Sequence, residues 1–310
     1  MNDNINQNGL VNFRAGFVAI LGRPNVGKSS YINVLLGEHI LAVSEKPQTT
    51  RNSLRCIYTD ATKQIVFVDT PGIHVPKHAL GEFMIKEAED ALSCVDAVCY
   101  VVEATDRSIS EKDHMIIAAL KEMHCPVILL VNKVDKLTKI ADWQKVVDVY
   151  NKELNIKDSL CVSAKNEIGI RESAEAMAKF LPIQPAIYPS DMLMDSTERF
   201  LVAEIIRESI FTHTREEVPH NVAVIIDEFK SPDEYDVNIA TIRATIIVAR
   251  PGQKAILIGH AGSMLKEIGT DAREKLEKQL GYKIFLSLWV KVKPDWQKKV
   301  EELRHLGYVL

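Results

Sequence analysis

Several things are scarce in this sequence, and each scarcity excludes a class of protein. Aromatic residues make up only 6%, and the 310 residues hold 14 Gly and 12 Pro. That is too little of either for a collagen-like or low-complexity chain. The five cysteines, Cys56, Cys94, Cys99, Cys125 and Cys161, are odd in number. None is spaced as C-x-x-C, which excludes a disulfide framework and a zinc ribbon and points to a reducing compartment. Most sit in or beside apolar runs, where a thiol serves as a small buried hydrophobe. No run reaches the ~18 apolar residues of a membrane span. Residues 1–16 are rich in Asn and lack the apolar centre of a signal peptide, so a loose N-terminal segment is expected. Positive charge is not in excess either: 38 Lys and Arg face 42 Asp and Glu, a net charge of -4. Taken over the whole chain, that balance argues against a nucleic-acid binder. What is present is a core: 46% hydrophobic and 26% charged residues. At ~150 residues per domain, the length suggests two domains.

Residues 17–182 alternate short apolar runs with helical patterns. The runs are Phe17–Leu21, Ile65–Val68, Val98–Val102, Val127–Val131 and Leu160–Val162. Rich in Val and Ile, they read as strands buried on both faces. Amphipathic stretches such as Lys28–Leu36 and Glu82–Leu92 lie between them. The fold class implied is α/β, a mostly parallel sheet with helices on both faces. Arg51–Tyr58 and Ile65–Val68 are joined by a hairpin-length link and are expected to pair antiparallel. Three prolines, Pro182, Pro185 and Pro189, mark a linker at 183–195. A second domain follows at 196–310, opening on a helix that Asp195 and Glu198 would cap as a box. Its order reads α-β-β-α-α-β plus a last helix, an α+β arrangement, with helical patterns over 254–280 broken by Gly259, Gly262 and Gly269.

Five motifs assemble a nucleotide site in the first domain, 17–182. Gly22-Arg23-Pro24-Asn25-Val26-Gly27-Lys28-Ser29, with Ser30 next, fits G-x-x-x-x-G-K-[ST] between a strand and a helix. Its glycines let backbone N–H groups curl round phosphate oxygens, and the helix N-terminus adds a positive dipole end. Lys28 would reach the β and γ phosphates and Ser29 would ligate Mg²⁺. Asp69-Thr70-Pro71-Gly72 ends a strand, where the acid can serve Mg²⁺ and the Gly72 N–H a γ-phosphate. Asn132-Lys133-Val134-Asp135 ends another. Asp135 can accept from the N1–H and exocyclic amine of guanine, donors that adenine lacks in that geometry. Asn132 would tie this loop to the first, and the Lys133 stem would cover the base. Ser163-Ala164-Lys165 follows the next strand, with the Ala164 N–H meeting guanine O6 and Lys165 packing on the ring. Finally, a γ-phosphate switch needs a hydroxyl on a mobile loop, supplied by Thr50 or, failing it, Thr49. The expectation is a GTP-hydrolysing switch with GTP and GDP as ligands and Mg²⁺ as cofactor.

These motifs resemble the translation-factor-related GTPases, and more narrowly the group with Gly-x-Pro-Asn-x-Gly-Lys-Ser. The glutamine that orients water in many GTPases is replaced by Ile73, a hydrophobic position in that group too, and His74 follows it. The resemblance implies that Asn25 helps hold K⁺, whose charge would assist hydrolysis beside Lys28, Thr50 and Gly72.

The second domain carries Ile258-Gly259-His260-Ala261-Gly262, a G-x-x-G loop flanked by Lys254 and Lys266. Its element order is that of a KH type II domain, where such a loop clamps single-stranded RNA. With this, residues 17–310 resemble the Era family of bacterial ribosome-assembly GTPases. Further markers are Pro47-Gln48-Thr49-Thr50-Arg51, Glu204–Glu208 and Leu288–Lys293. The resemblance implies binding of the 3′ end of 16S rRNA through Lys254, Ile258, Gly259, His260, Ala261, Gly262 and Lys266. It also implies action in 30S subunit assembly by a cytoplasmic monomer peripherally associated with the inner membrane. His260 stands where the family usually has Lys or Asn. The competing reading is a GTP-regulated membrane or protein-partner adaptor whose second domain binds no RNA. The charge distribution bears on this: residues 241–310 hold 13 basic and 7 acidic side chains. A chain acidic overall therefore has a basic segment that starts at the strand leading into the predicted clamp, and any RNA face is expected to be local.

Overall fold

The computed structural model describes residues 12–43, 54–69, 79–83, 86, 94–214, 218–232, 235 and 238–308. Among the described residues the chain divides into two compact units, one of 12–41, 54–69, 86 and 94–195 and one of 42–43, 79–83 and the residues from Ser196 onward.

The first unit is built on strands β1 (Arg14–Leu21), β2 (Leu54–Thr59), β3 (Lys63–Asp69), β4 (Ala97–Glu103), β5 (Val127–Asn132) and β6 (Ile156–Cys161). They form one sheet in the order β2-β3-β1-β4-β5-β6. Only β2 and β3 run antiparallel, as the short Thr59–Gln64 link requires. Strands β3, β4 and β5 are buried almost throughout, which explains the apolar runs Ile65–Val68, Ala97–Val102 and Val127–Val131 within them. On one face, α2 (Glu111–Lys121) and α3 (Trp143–Asn151) bury Ile116, Leu120, Val146 and Tyr150 against Tyr100 and Leu129. On the other lie α1 (Lys28–Leu36) and α4 (Ile170–Ala178). There Tyr31 meets Phe67 edge-on and shares a 2.7 Å hydrogen bond with Ser173. Of the predicted helix at 82–92, only residues 82, 83 and 86 are described, and they are helical.

The proline-marked linker is strapped to the edge of this sheet. The Ile57 N–H donates to the Leu193 carbonyl at 2.8 Å, and the Asp195 N–H to that of Arg55 at 3.0 Å. Buried Gln64 accepts from the N–H groups of Ile187 (2.7 Å) and Tyr188 (2.8 Å) and donates to the Tyr188 carbonyl at 2.8 Å. None of the five cysteines forms a disulfide. Cys56 and Cys99 are buried, which pushes their thiols up, whereas Cys94 is exposed.

The second unit runs α5 (Glu198–His213), β7 (Val222–Lys230), β8 (Ala240–Val248), α6 (Pro251–Ile258), α7 (Ser263–Leu280), β9 (Ile284–Val292) and α8 (Val300–His305). The sheet order is β7-β8-β9, antiparallel then parallel. Ile206, Ile242, Ile246, Leu257, Ile268 and Leu276 form its core. Two sequence expectations need correction. The first helix is capped by Thr197, whose side chain accepts from the Phe200 N–H, not by an Asp195 box; Asp195 is drawn off by Tyr188, whose hydroxyl donates to it at 2.7 Å. Gly269 does not break α7. It lies against β9, where an added Cβ would stand 3.5 Å from Leu288 Cδ1, so a small residue suits the packing.

Candidate nucleotide site and clamp loop

β1 is the strand at which chain order reverses, with β3 on one side and β4 on the other. Ligands of open α/β sheets sit at the carboxyl ends of such strands. The loop 22–27 leaves β1 there and opens α1. Its path demands its residues: Gly27 has φ 96°, and a Cβ on it would stand 2.4 Å from Asn132 Nδ2. A Cβ on Gly22 would stand 2.4 Å from the Val101 carbonyl. Asn25 takes φ 69°, which its type tolerates. Pro24 and Val26 complete the loop, and Ser29 and Ser30 stand in the first turn of α1. Lys28 folds back over the loop and donates to the carbonyls of Gly22 (2.8 Å) and Arg23 (3.1 Å). Burial of its ammonium pushes its pKa below the ordinary lysine value, opposed by the charge of Asp69. Asp69 is fully buried at the end of β3, paired in register with Ile20.

The guanine-type loops join this cradle through Asn132, at the end of β5. Its Nδ2 donates to the Val26 carbonyl at 2.8 Å, and its Oδ1 accepts from the N–H groups of Lys133 (2.7 Å) and Ala164 (3.2 Å). The Ala164 N–H, expected to face a base oxygen, is thus directed at Asn132 here. Lys133, at φ 65°, sends Nζ to the Asn25 carbonyl and to Glu103. Asp135 accepts from Ser163 Oγ at 2.5 Å. Lys165 follows on the same turn, exposed. The first, third and fourth motifs therefore meet, with Asp69 beside Lys28. Thr49, Thr50, Gly72, Ile73 and His74 lie outside the described residues.

Sequence reading missed what holds Arg23. Its guanidinium contacts Asp106 at 2.5 Å and the fully buried Asp113 at 3.2 Å. Burial alone would lower its pKa, but the Asp106 hydrogen bond and both charges raise it. Tyr100 donates to Asp113 at 2.8 Å, and Tyr150 to Asp106 at 3.3 Å. The available signal was Ser110-x-x-Asp113, a capping box that plants the acid at the start of α2.

In the second unit, Ile258 ends α6 and Ser263 begins α7. Gly259 takes φ 71°, ψ -179°, and a Cβ on it would stand 2.8 Å from the Met264 backbone N. Gly262 takes φ 82° with open space around it. Ala261 is also left-handed, at φ 48°, an unfavourable conformation for a residue with a Cβ. His260, Ala261 and Lys266 are exposed, and Lys254 and Ile258 are half-buried. The loop so presents backbone and basic side chains to solvent together.

Two family models match the chain: a 50S ribosome-binding GTPase over residues 17–133 and a KH domain over 217–297. Two solved structures resemble it over 96% of its length. One is Aquifex aeolicus Era bound to GDP and AlF4⁻, and the other is Era with MgGDPNP and nucleotides 1506–1542 of 16S ribosomal RNA. Each is 38% identical, with a TM-score of 0.90, and is covered over 100% of its own length.

Proposed function

Because this chain belongs to the Era family of GTPases, we propose that it is a GTP-hydrolysing switch that binds the 3′ end of 16S rRNA and acts in assembly of the 30S subunit. The first domain, residues 17–182, takes the nucleotide, and a KH domain at 196–310 takes the RNA across the linker at 183–195. The observation that carries the nucleotide half is the bridge from Asn132 to Val26, with Asp135 anchored on Ser163 beside it. It supports one site reading phosphate and guanine together. For the RNA half, support comes from the backbone path of the Gly259–Gly262 loop and from the relative crystallised with RNA.

Mg²⁺ fits the donor set. A hydroxyl at Ser29 and a buried carboxylate at Asp69 are hard oxygen ligands beside a phosphate cradle. Ser29 and Asp69, with Thr50, would hold the ion, which would supply positive charge against the β and γ phosphates. Lys28 binds the same oxygens, and the backbone of 22–27 orients them. Asn25 is proposed to hold K⁺, and Gly72 to contact the γ-phosphate. The chain is proposed to act as a cytoplasmic monomer with peripheral attachment to the inner membrane. No helix among the described residues is long and apolar enough to cross one.

The test uses the full chain. GTP is expected to bind and be hydrolysed in preference to ATP, faster in K⁺ than in Na⁺ and less so in Asn25→Ala. Gly262→Asp is expected to abolish RNA binding while hydrolysis persists; it suits the test better than Gly259→Asp, because its Cβ meets no neighbour. RNA binding unaffected by Gly262→Asp would contradict the clamp assignment. Absence of RNA binding with strong attachment to anionic vesicles would favour an adaptor instead.

A further inference from the structure

The nucleotide site and the clamp loop leave one surface unused, the outer face of β9. Leu288 turns toward α7, as its approach to Gly269 records. Side chains alternate along a strand, so Phe285, Ser287, Trp289 and Lys291 turn to the opposite face. Phe285 is 59% exposed and Trp289 66%, the two most exposed large apolar side chains among the described residues. Single exposed apolar residues are ordinary, but two aromatic rings on one strand face mark an interaction surface. Within the sheet, β9 is an edge strand. Its neighbours on β8 in register are polar: Thr241 beside Phe285, Arg243 beside Ser287 and Thr245 beside Trp289.

Lys291 is exposed on β9. The acids lie on β7, two strands away. There Glu228 pairs with Lys230 (2.6 Å) and Arg243 (3.2 Å), and Asp227 accepts from Thr245 at 2.7 Å. Glu228 is thus neutralised by its two cationic partners, and Lys291 adds an exposed positive charge beside the rings of β9. We propose that the outer face of β9 is a second RNA-binding surface, on which Phe285 and Trp289 each stack an unpaired base while Lys291 meets the backbone. The rings are four residues apart, roughly 13 Å along a strand. Consecutive stacked bases rise only ~3.4 Å, so each ring takes a separate, splayed base, as in single-stranded RNA. Threonine and serine hydroxyls between the rings can hydrogen-bond phosphate and ribose. They interrupt the apolar continuity that a lipid surface would need. This inference rests on the RNA reading above. A G-x-x-G loop clamps only about four nucleotides, and the RNA held by the relative is far longer.

The test compares two RNAs on the full chain: a strand matching nucleotides 1506–1542, and a 3′-terminal piece of about eight nucleotides, long enough for the clamp alone. Trp289→Ala is expected to weaken the long RNA about 5- to 100-fold and leave the short one unchanged. Trp289→Phe is expected to restore most of the affinity, and the long RNA to quench Trp289 fluorescence in the wild type. Wild-type affinity for the long RNA in both Trp289→Ala and Phe285→Ala would overturn the proposal. Trp289→Ala that loses attachment to anionic vesicles but keeps its RNA affinity would give the face to membrane and overturn it too. If neither RNA binds the wild type, the RNA reading itself fails and takes this proposal with it.

Discussion

The side-chain amide of Asn132 donates to the backbone carbonyl of Val26 at 2.8 Å, joining the end of β5 to the phosphate loop after β1. The same side chain accepts from two further backbone N–H groups and is buried. Asn132→Ala strands those groups, at about 1–3 kcal/mol for each one left unsatisfied. GTP and GDP affinity are expected to fall together, by about 10- to 100-fold, in a titration with a fluorescent guanine nucleotide. Unchanged affinity would show that the two loops are positioned by something else.

Asp135 is proposed to read the base through its carboxylate, and its amide analogue is then expected to change specificity rather than folding. In Asp135→Asn, GTP affinity is expected to fall by about 10- to 150-fold, the value of hydrogen bonds to a charged group. Xanthine nucleotides, which offer an acceptor where guanine has its amine, are expected to gain. Competition binding with GTP and XTP checks this, and equal loss of both would contradict it.

The buried Asp113 holds Arg23 from the start of α2. Asp113→Ala leaves the guanidinium with Asp106 alone and Tyr100 without its acceptor. Stability is expected to drop by about 3 kcal/mol in urea denaturation, with weaker nucleotide binding because Arg23 belongs to the phosphate loop. A loss under about 0.5 kcal/mol, typical of an exposed pair, would contradict the assignment.

Lys28 has its pKa lowered by burial, so in the free protein its charge is lost at a lower pH than an ordinary lysine's. Phosphate stabilises the charged form. As pH rises toward that lowered value, nucleotide binding is expected to take up a proton and to weaken. Calorimetry in buffers of differing ionisation enthalpy reads the uptake. The same loss in Lys28→Met would assign it to another group.

Ala261 sits in the left-handed region at φ 48°. Ala261→Gly removes a penalty of about 1–2 kcal/mol, offset in part by the freedom that glycine gains unfolded. A net gain of up to about 1 kcal/mol is expected by thermal unfolding. A loss would contradict this loop conformation.

The sequence was most readable where one physical demand fixes the residue. Gly27, Lys28, Asn132 and Asp135 lie in or beside the loops that follow β1 and β5, and the structure brings those loops together. The alternation of apolar runs foretold the sheet, since strands buried on both faces leave no polar residues to confuse the period. Tertiary choices were less readable. Nothing local says that Gln64 binds the linker, or that Tyr188 claims Asp195 from the helix it was expected to cap. Gly269 reads as a helix breaker in the sequence, yet α7 runs unbroken through it beside β9. Arg23 showed as a loop residue while its partners, Asp106 and Asp113, lie over eighty residues away in sequence.

The central claim is that guanine nucleotide and RNA act on one switch. The most direct measurement is the affinity of the full chain for an RNA matching nucleotides 1506–1542, taken with a non-hydrolysable GTP analogue, with GDP and without nucleotide, at one stated salt concentration. Affinity is expected to be highest with the GTP analogue and lower with GDP, and to be lost in Gly262→Asp in every state. Equal affinity in all three nucleotide states would contradict the claim that GTP gates RNA binding.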